Sequence, residues 1–410
     1  MSSSVPHSPH HSSDLNRPLS MLLPQLKEND TAVILTHLPR LRTRLEHLKT
    51  AFKPDVQHSI AIKSNPHIEL LKVISQLGFG LEAASIEEVR RALDAGCPPE
   101  RIVFDSPVKT RLELAEVSQL PNLLVNVNSL VELQRIPLDT LCMVGIRINP
   151  EIHTGSPELF SVGRNESKFG VPLSTRDDII KATLKYPVRA LHMHSGSQMR
   201  DIKAQREALN RLVKLAYDLN NALDQAGIDR RIEVLDIGGG LPTESLTEQS
   251  NMKAYAHCVQ SIKGIDQFKI VTEFGQWVNA ECGVALSRVE YVIDGDPLKM
   301  FIHLGADLFT RDAYTHPRPF PLLLWTDTGQ HVNGSTKTYD VAGPLCFAGD
   351  YIARGVELPQ AHEGLWLSID HAGANTYALW SRHCSRNVPA IWAWDGQTVR
   401  QWSSRHPIQF

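Results

Sequence analysis

From Ser59 onward the chain alternates short apolar runs with helical patterns, and this rhythm limits the available folds more than any single motif. The runs fall at Ser59–Lys63, Gly80–Ala83, Arg101–Phe104, Leu123–Val127, Cys142–Ile148, Arg189–His194, Ile232–Asp236 and Phe268–Glu273. Parallel strands need a helix-length crossover between them, and eight such units predict a (β/α)8 barrel, a TIM-like α/β fold. Ser85-x-x-Glu88 and Ser129-x-x-Glu132 read as capping boxes opening two of the helices, and Gly96 and Gly227 stand at helix ends. From about Ala285 the helical spacing stops. SRVEYVID, KMFIHLG, FPLLLWT, TKTYDVAG, GLWLSID and PAIWAWDG are β-like runs divided by Gly, Pro and Asp, which predicts a C-terminal β-domain, a sandwich or a small barrel. The expected division is a disordered tail over 1–28, a barrel over 29–284 and a β-domain over 285–410. The early strand TAVILTHL (Thr31 to Leu38) is free to join the β-domain.

Composition closes off several classes of function. Charged residues make up 21% of the 410, and the net charge of −3 is spread without long runs, so neither nucleic acid nor an anionic membrane is an expected partner. No apolar run approaches the roughly 20 residues that span a bilayer. The six cysteines include no CxxC pair, which points away from a metal knuckle and toward reduced thiols in the cytoplasm. The first twenty residues are rich in Ser, His and Pro and lack the apolar centre of a signal peptide.

In a barrel of this kind the C-terminal strand ends share one mouth. Here those ends carry Lys63, Glu82, Arg147, His194, Gly238-Gly239-Gly240 and Glu273. A lysine closing the apolar run SIAIK is suited to covalent attachment of a carbonyl, because a desolvated amine changes its protonation readily. Three glycines after a strand offer backbone amides with no Cβ in the way, a phosphate cradle, and Gly275 in EFGQW adds another beside an expected helix start. In HMHSGSQ one of the two histidines is expected to point into the mouth, where a flat imidazole suits stacking on an aromatic ring.

The order of AIKSNP, GFGLEAASIEE, IVFDSPVKT, VNVNSLVEL, IRINP, SKFGVP, LHMHSGSQ, LDIGGGLP, TEFGQW and AGPLCFAGD resembles the fold-type III pyridoxal-phosphate decarboxylases, the group of ornithine, arginine and diaminopimelate decarboxylases. The matching stretches run from about residue 30 to about 376. The resemblance implies pyridoxal 5'-phosphate as cofactor, with Lys63 binding its aldehyde covalently, His194 stacking on its ring and Glu273 pairing with the ring nitrogen. It places Ser197, Gly239, Gly240, Gly275 and Gln276 around the phosphate, and Arg147 and Glu82 around the ring. It also implies a head-to-tail homodimer with shared active sites, in which Cys346 enters from the partner to return a proton to the substrate carbon. Lys168 would pair with Asp350 across that interface.

The chain departs from the family at four of these positions. Gln276 stands where the family has arginine, Asn375 where it has a phosphate-binding tyrosine, and Glu82 where it has aspartate. Gln276 and Asn375 are expected to act as neutral donors in place of the usual groups. Phe347 follows Cys346 where an acidic residue commonly receives the substrate's distal amine, and an apolar ring does not offset the burial of an ammonium. Arg311 and Tyr314, in GADLFTRDAY, are the candidates to meet a distal carboxylate. The expectation is decarboxylation of an amino acid whose far end is carboxylated, acylated or conjugated, in specialised metabolism such as siderophore or natural-product synthesis. A racemase, a silent regulatory homologue and a single-domain cofactor carrier are the alternatives. The cysteine motif weighs against the first, retention of Lys63 and Cys346 against the second, and the β-domain against the third.

Overall fold

A computed structural model describes residues 14–156, 163, 167–245, 250–315 and 318–408. The chain forms two compact units, one from Arg44–Val278 and one from Met1–Thr43 with Asn279–Phe410.

The first unit is the barrel. Its parallel strands are β1 (Gln57–Ala61), β2 (Gly80–Ala83), β3 (Ile102–Phe104), β4 (Leu124–Val127), β5 (Met143–Asn149), β6 (Val188–His192), β7 (Val234–Asp236) and β8 (Lys269–Thr272). They pair in sequence, β8 returns to β1, and pairing of β4 with β5 completes the ring. A short strand, Val171–Pro172, adds outside it on β5. The strands are buried almost throughout, as expected of parallel strands covered by helices, and Val103, Leu124, Ala190, Val234 and Val271 pack together as one apolar cluster. Every expected strand is present, though β1 stops at Ala61, and Lys63 rides on the 3-10 turn Ile62–Ser64 that follows.

The helix starts follow the capping chemistry with one variation. Ser85 and Ser129 each accept from the amide three residues on, but Glu88 and Glu132 reach back one residue further, to the amides of Ala84 and Asn128. The reciprocal box is formed by Thr110 and Glu113. Gly96 and Gly227 adopt φ of +77° and +68° just past their helices, a left-handed backbone that glycine takes without strain.

The second unit is a mostly antiparallel sheet with two apolar clusters. The N-terminal strand Ala32–His37 lies inside this sheet, antiparallel to Gly283–Ile293 and parallel to Ala390–Trp394. Its alternation divides it between the clusters, with Ala32 and Ile34 in one and Val33 and Leu35 in the other. The expected tail requires correction. Residues 1–13 lie outside the described residues, but Asn16–Leu22 is a helix, and Leu15, Leu19, Leu22 and Leu23 are buried among Trp325, Trp366, Trp392 and Trp394. Polar composition in the first residues hides an apolar helical stripe that begins immediately after them. Buried Arg40 adds a polar tie, donating to Asp14 at 2.7 and 2.8 Å and to Asp370 at 2.8 and 3.1 Å. Leu19→Ala is therefore expected to cost about 2–5 kcal/mol, the range for truncating a fully buried leucine. Chemical denaturation of the whole chain measures it, and a change below about 0.5 kcal/mol would show that this helix is not part of the core.

Candidate active site

The barrel strands bring their polar ends into rows. Arg147 on β5 is the cross-strand neighbour of His192 on β6, which neighbours Asp236 on β7. On the other side Glu82 on β2 neighbours Ala61, two residues before Lys63. Lys63 Nζ donates to both oxygens of Glu82 at 2.7 and 2.6 Å. Glu82 is wholly buried, whereas the Lys63 side chain keeps 48% of its surface open. Burial works against the Lys63 charge, but the carboxyls of Glu82, Asp105 and Glu273 outweigh it and hold the ammonium above its ordinary range.

The two histidines of HMHSGSQ do not divide as expected. Both converge on Glu273, His192 Nε2 at 3.6 Å and His194 Nδ1 at 3.9 Å from Oε2, because residues two apart at a strand end share one face. The Gly239 N–H donates to His194 Nδ1 at 3.2 Å, so Nδ1 accepts and the neutral ring carries its proton on Nε2. Burial, then Arg147 and Lys63, keep His194 well below its ordinary range; burial pushes His192 down to about 4. Both rings are neutral at physiological pH.

Glu273 sits in an unfavourable electrostatic setting. Both its oxygens are buried and meet no N–H or O–H donor within hydrogen-bond distance, and a further acid, Asp236, acts on it beside the two histidines. Burial, then the charge of Asp105, push its carboxyl up to about 7. Asp236 is itself held by Asn126 Nδ2 at 2.9 Å and the Gly238 amide at 3.1 Å.

The glycine turn is closely packed. A Cβ on Gly239 would lie 2.3 Å from the Glu273 carbonyl oxygen, and one on Gly275 would lie 2.8 Å from Ala61 Cβ. Gln276 opens a single helical turn, Gln276–Asn279, and its Nε2 donates to Thr243 Oγ1 at 3.4 Å. Ser197 is half-buried on the loop after β6.

Asp105 escaped the sequence reading. It follows β3 directly, its amide donates to the Ala83 carbonyl at 3.1 Å, and its Oδ2 lies 3.7 Å from Arg147. Ligand atoms of Asp105, His192 and Glu273 all lie within 4.8 Å of one another. Its position at a strand end, equivalent to that of Glu82, was the available signal.

The remaining candidates lie in the sheet unit. Cys346 is exposed. Phe347, next to it, stacks on Tyr314 with ring centroids 5.0 Å apart and planes at 24°. Arg311 shares the short helix Thr310–Tyr314 with that tyrosine and is half-buried, while Asp312 pairs with Arg318 at 2.8 Å. Asn375 sits at φ +58°, a left-handed backbone that asparagine tolerates better than most residues. Asp350 is buried, and its carboxylate accepts the amides of Ala306 at 2.6 Å and Leu345 at 2.7 Å. This aspartate thus fastens the cysteine loop to the segment leading to Arg311.

Comparison with known proteins agrees with this arrangement. The family profile described as pyridoxal-dependent decarboxylase, pyridoxal binding domain, matches residues 38–280. Diaminopimelate decarboxylase of Helicobacter pylori strain J99 is 30% identical over 339 residues, covering 80% of each chain. The enzyme of that name from Aquifex aeolicus is 29% identical over 361 residues, covering 84% of this chain and 82% of its own. Among solved structures, a point mutant of Helicobacter pylori diaminopimelate decarboxylase complexed with L-lysine superposes with a TM-score of 0.81 at 26% identity, covering 92% of this chain and 95% of that one.

The residues present fit the cofactor. A lysine with an open side chain, a glycine turn with no room for Cβ atoms, and a buried glutamate lacking any donor are what an aldehyde, a phosphate and a protonated ring nitrogen require. The chain belongs to the pyridoxal-dependent decarboxylase family and is a pyridoxal 5'-phosphate-dependent amino-acid decarboxylase of fold type III.

Proposed function

We propose that this enzyme decarboxylates an amino acid whose distal end bears a carboxylate or a conjugated acyl group. The observation that carries the reading is the Phe347–Tyr314 stack at 5.0 Å. It fills the position after Cys346 with an apolar ring that offers no carboxylate to a distal ammonium, with Arg311 on the same short helix as Tyr314. The relatives named diaminopimelate decarboxylase support a distal carboxylate. Specialised biosynthesis in the cytoplasm is part of the reading, and the six free thiols suit a reducing compartment.

Bound cofactor supplies a cationic ring that accepts the electrons released with CO2. The protein's own residues do the rest. Lys63 anchors the aldehyde, His194 offers a neutral face to the ring, and Glu273 balances the charge of the ring nitrogen. Ser197, Gly239, Gly240, Gly275 and Gln276 would hold the phosphate, and Arg147 would brace the ring. Cys346 returns the proton to the α-carbon.

The test is mass spectrometry of the loaded enzyme in D2O with basic amino acids, meso-diaminopimelate and acyl- or citryl-conjugated diamino acids. The expected product is lighter by CO2, carries one deuterium and forms only from the carboxylated or conjugated members. Deuterium uptake without loss of CO2 would instead mark a racemase, and turnover of ornithine or lysine alone would sink the distal-group reading. In the same assay Arg311→Ala should raise KM about 10–100-fold for a carboxylated substrate with kcat nearly unchanged, the scale of one charge-assisted hydrogen bond. An unchanged KM removes Arg311 from the site.

The active unit in this reading is a homodimer with Cys346 supplied by the partner. Mixed Lys63→Ala and Cys346→Ala proteins should then regain about a quarter of wild-type activity, the statistical yield of one intact site in each mixed dimer. Failure to regain activity, with subunit exchange confirmed, would place both residues in one chain's site.

A further inference from the structure

Two glycine turns leave neighbouring strands at the mouth, Gly238–Gly240 after β7 and Phe274–Gly275 after β8. Backbone bonds lock them together. The Ile237 amide donates to the Val271 carbonyl at 2.9 Å, and the Glu273 amide to the Gly238 carbonyl at 2.8 Å. A Cβ on Gly240 would strike the Gly196 carbonyl, so the first turn also closes on the loop after β6.

The segments leaving the two turns are joined again by side chains. Glu244 is buried, and its Oε1 accepts Trp277 Nε1 at 3.1 Å and the Met252 amide at 3.2 Å. Its Oε2 accepts the Asn251 amide at 3.0 Å. One carboxylate thus ties the start of the helix Ser250–Gln260 to the residue after Gln276, and three N–H donors hold it in one orientation. Trp277 is 1% exposed, the Arg44 guanidinium lies 4.5 Å from its ring centroid, and Arg44 donates to the Glu244 carbonyl.

Thr243 and Gln276 each stand one residue before these anchors. Gln276 Nε2 donates to Thr243 Oγ1 at 3.4 Å, which makes a second tie beside the first. The two ties differ in burial: Glu244 and Trp277 are buried, whereas Thr243 and Gln276 are half-buried. The outer tie also has donors left over. A hydroxyl that accepts keeps its own hydrogen to give, and the Gln276 amide nitrogen has a second one. Neither meets an acceptor among the described residues. A phosphate presents acceptor oxygens, the complement of such a pair, and the neighbouring glycine turns give it backbone amides at close approach.

We infer that Thr243 is a further phosphate-binding residue of this enzyme. With Gln276 it gives the cofactor phosphate two neutral hydrogen-bond donors. Glu244 and Trp277 are positioning residues, which hold that pair beside the glycine turns. The inference rests on the phosphate lying at those turns, part of the function proposed above.

The test compares dissociation constants of the full chain for pyridoxal 5'-phosphate and for pyridoxal, which lacks the phosphate, followed by cofactor absorbance. Wild type should prefer the phosphorylated form, and no preference there would overturn the reading of the glycine turns before Thr243 enters. Thr243→Val keeps the shape and loses the hydroxyl. It should weaken pyridoxal 5'-phosphate about 10–100-fold, the scale of a hydrogen bond to a charged group, and leave pyridoxal within about twofold. Thr243→Ser should bind both as wild type does. In a Gln276→Ala background Thr243→Val should cost at least about a further fivefold, because the hydroxyl donates in its own right. Trp277→Phe, which loses the N–H, should lower the preference for the phosphorylated form about 2–10-fold, whereas a general loosening of the fold would weaken both ligands alike. The inference is overturned by a Thr243→Val protein that holds pyridoxal 5'-phosphate as tightly as wild type or loses pyridoxal equally. No further loss in the Gln276→Ala background overturns it too, by reducing Thr243 to a support for Gln276.

Discussion

Lys63→Ala is expected to abolish covalent capture of pyridoxal 5'-phosphate and to lower decarboxylation by at least about a thousandfold, the scale of losing a covalent catalytic group. The readout independent of turnover is peptide mass after borohydride reduction: wild type carries the cofactor on the Lys63 peptide, and the variant carries it nowhere. Among the described residues, Lys109 is not placed to take over. It is the near alternative, but its side chain has no exposed surface, and its three bonds to Ser106, Asn126 and Glu132 use every ammonium proton. Lys63 instead keeps nearly half its side chain open and spends its bonds on one carboxyl. Cofactor found on Lys109 in the variant would overturn this reading. The deletion also strips the acids of one of their two cations. The variant should therefore hold an additional proton at neutral pH rather than an unpaired buried charge.

The barrel was legible because parallel strands buried on both faces leave continuous apolar runs, and eight of them recur at crossover spacing. Lys63, Glu82, Arg147, His194, the glycine turn and Glu273 were legible for the same reason, since polar residues at the ends of such runs have one place to go. Asp105 was hidden by its neighbours, because Asp105-Ser106-Pro107 reads as an ordinary turn. Only the pairing of β2 with β3 brings it against Glu82. The helix Asn16–Leu22 was hidden by composition, since it is too short for periodicity to outweigh the polar stretch before it. Its order comes from four tryptophans supplied by strands far along the chain. The role of Asp350 is likewise tertiary: its partners are the amides of Ala306 and Leu345, and backbone donors leave no mark in a sequence.

Glu273→Gln should lower decarboxylation on the order of 10²–10³-fold, the cost of removing one preorganised electrostatic contact to developing charge, and should make the cofactor-free protein more stable above pH 7. Both effects have one origin. Glu273 has an ordinary carboxyl value of 4.5 and is pushed up to about 7 by burial and by Asp105. A raised acid favours the fold while protonated, so its contribution is complete below pH 4.5 and is lost as pH rises through about 7. Above that, ionised Glu273 costs the cofactor-free fold on the order of 3 kcal/mol at 1.36 kcal/mol per unit. Glutamine carries no charge to bury and escapes this cost. A ring-nitrogen cation reverses the balance by giving the carboxylate a partner, so the strain in the protein is relieved by the group it serves. Cofactor binding to wild type at pH 6 should accordingly release about one proton from Glu273, and at pH 8 almost none. Calorimetry in two buffers of different ionisation enthalpy reads that proton directly. Glu273→Gln should remove the difference between the two pH values while still capturing the aldehyde on Lys63. A variant that keeps the full proton release would assign it to Asp236 instead, and one that keeps wild-type turnover would remove Glu273 from the chemistry.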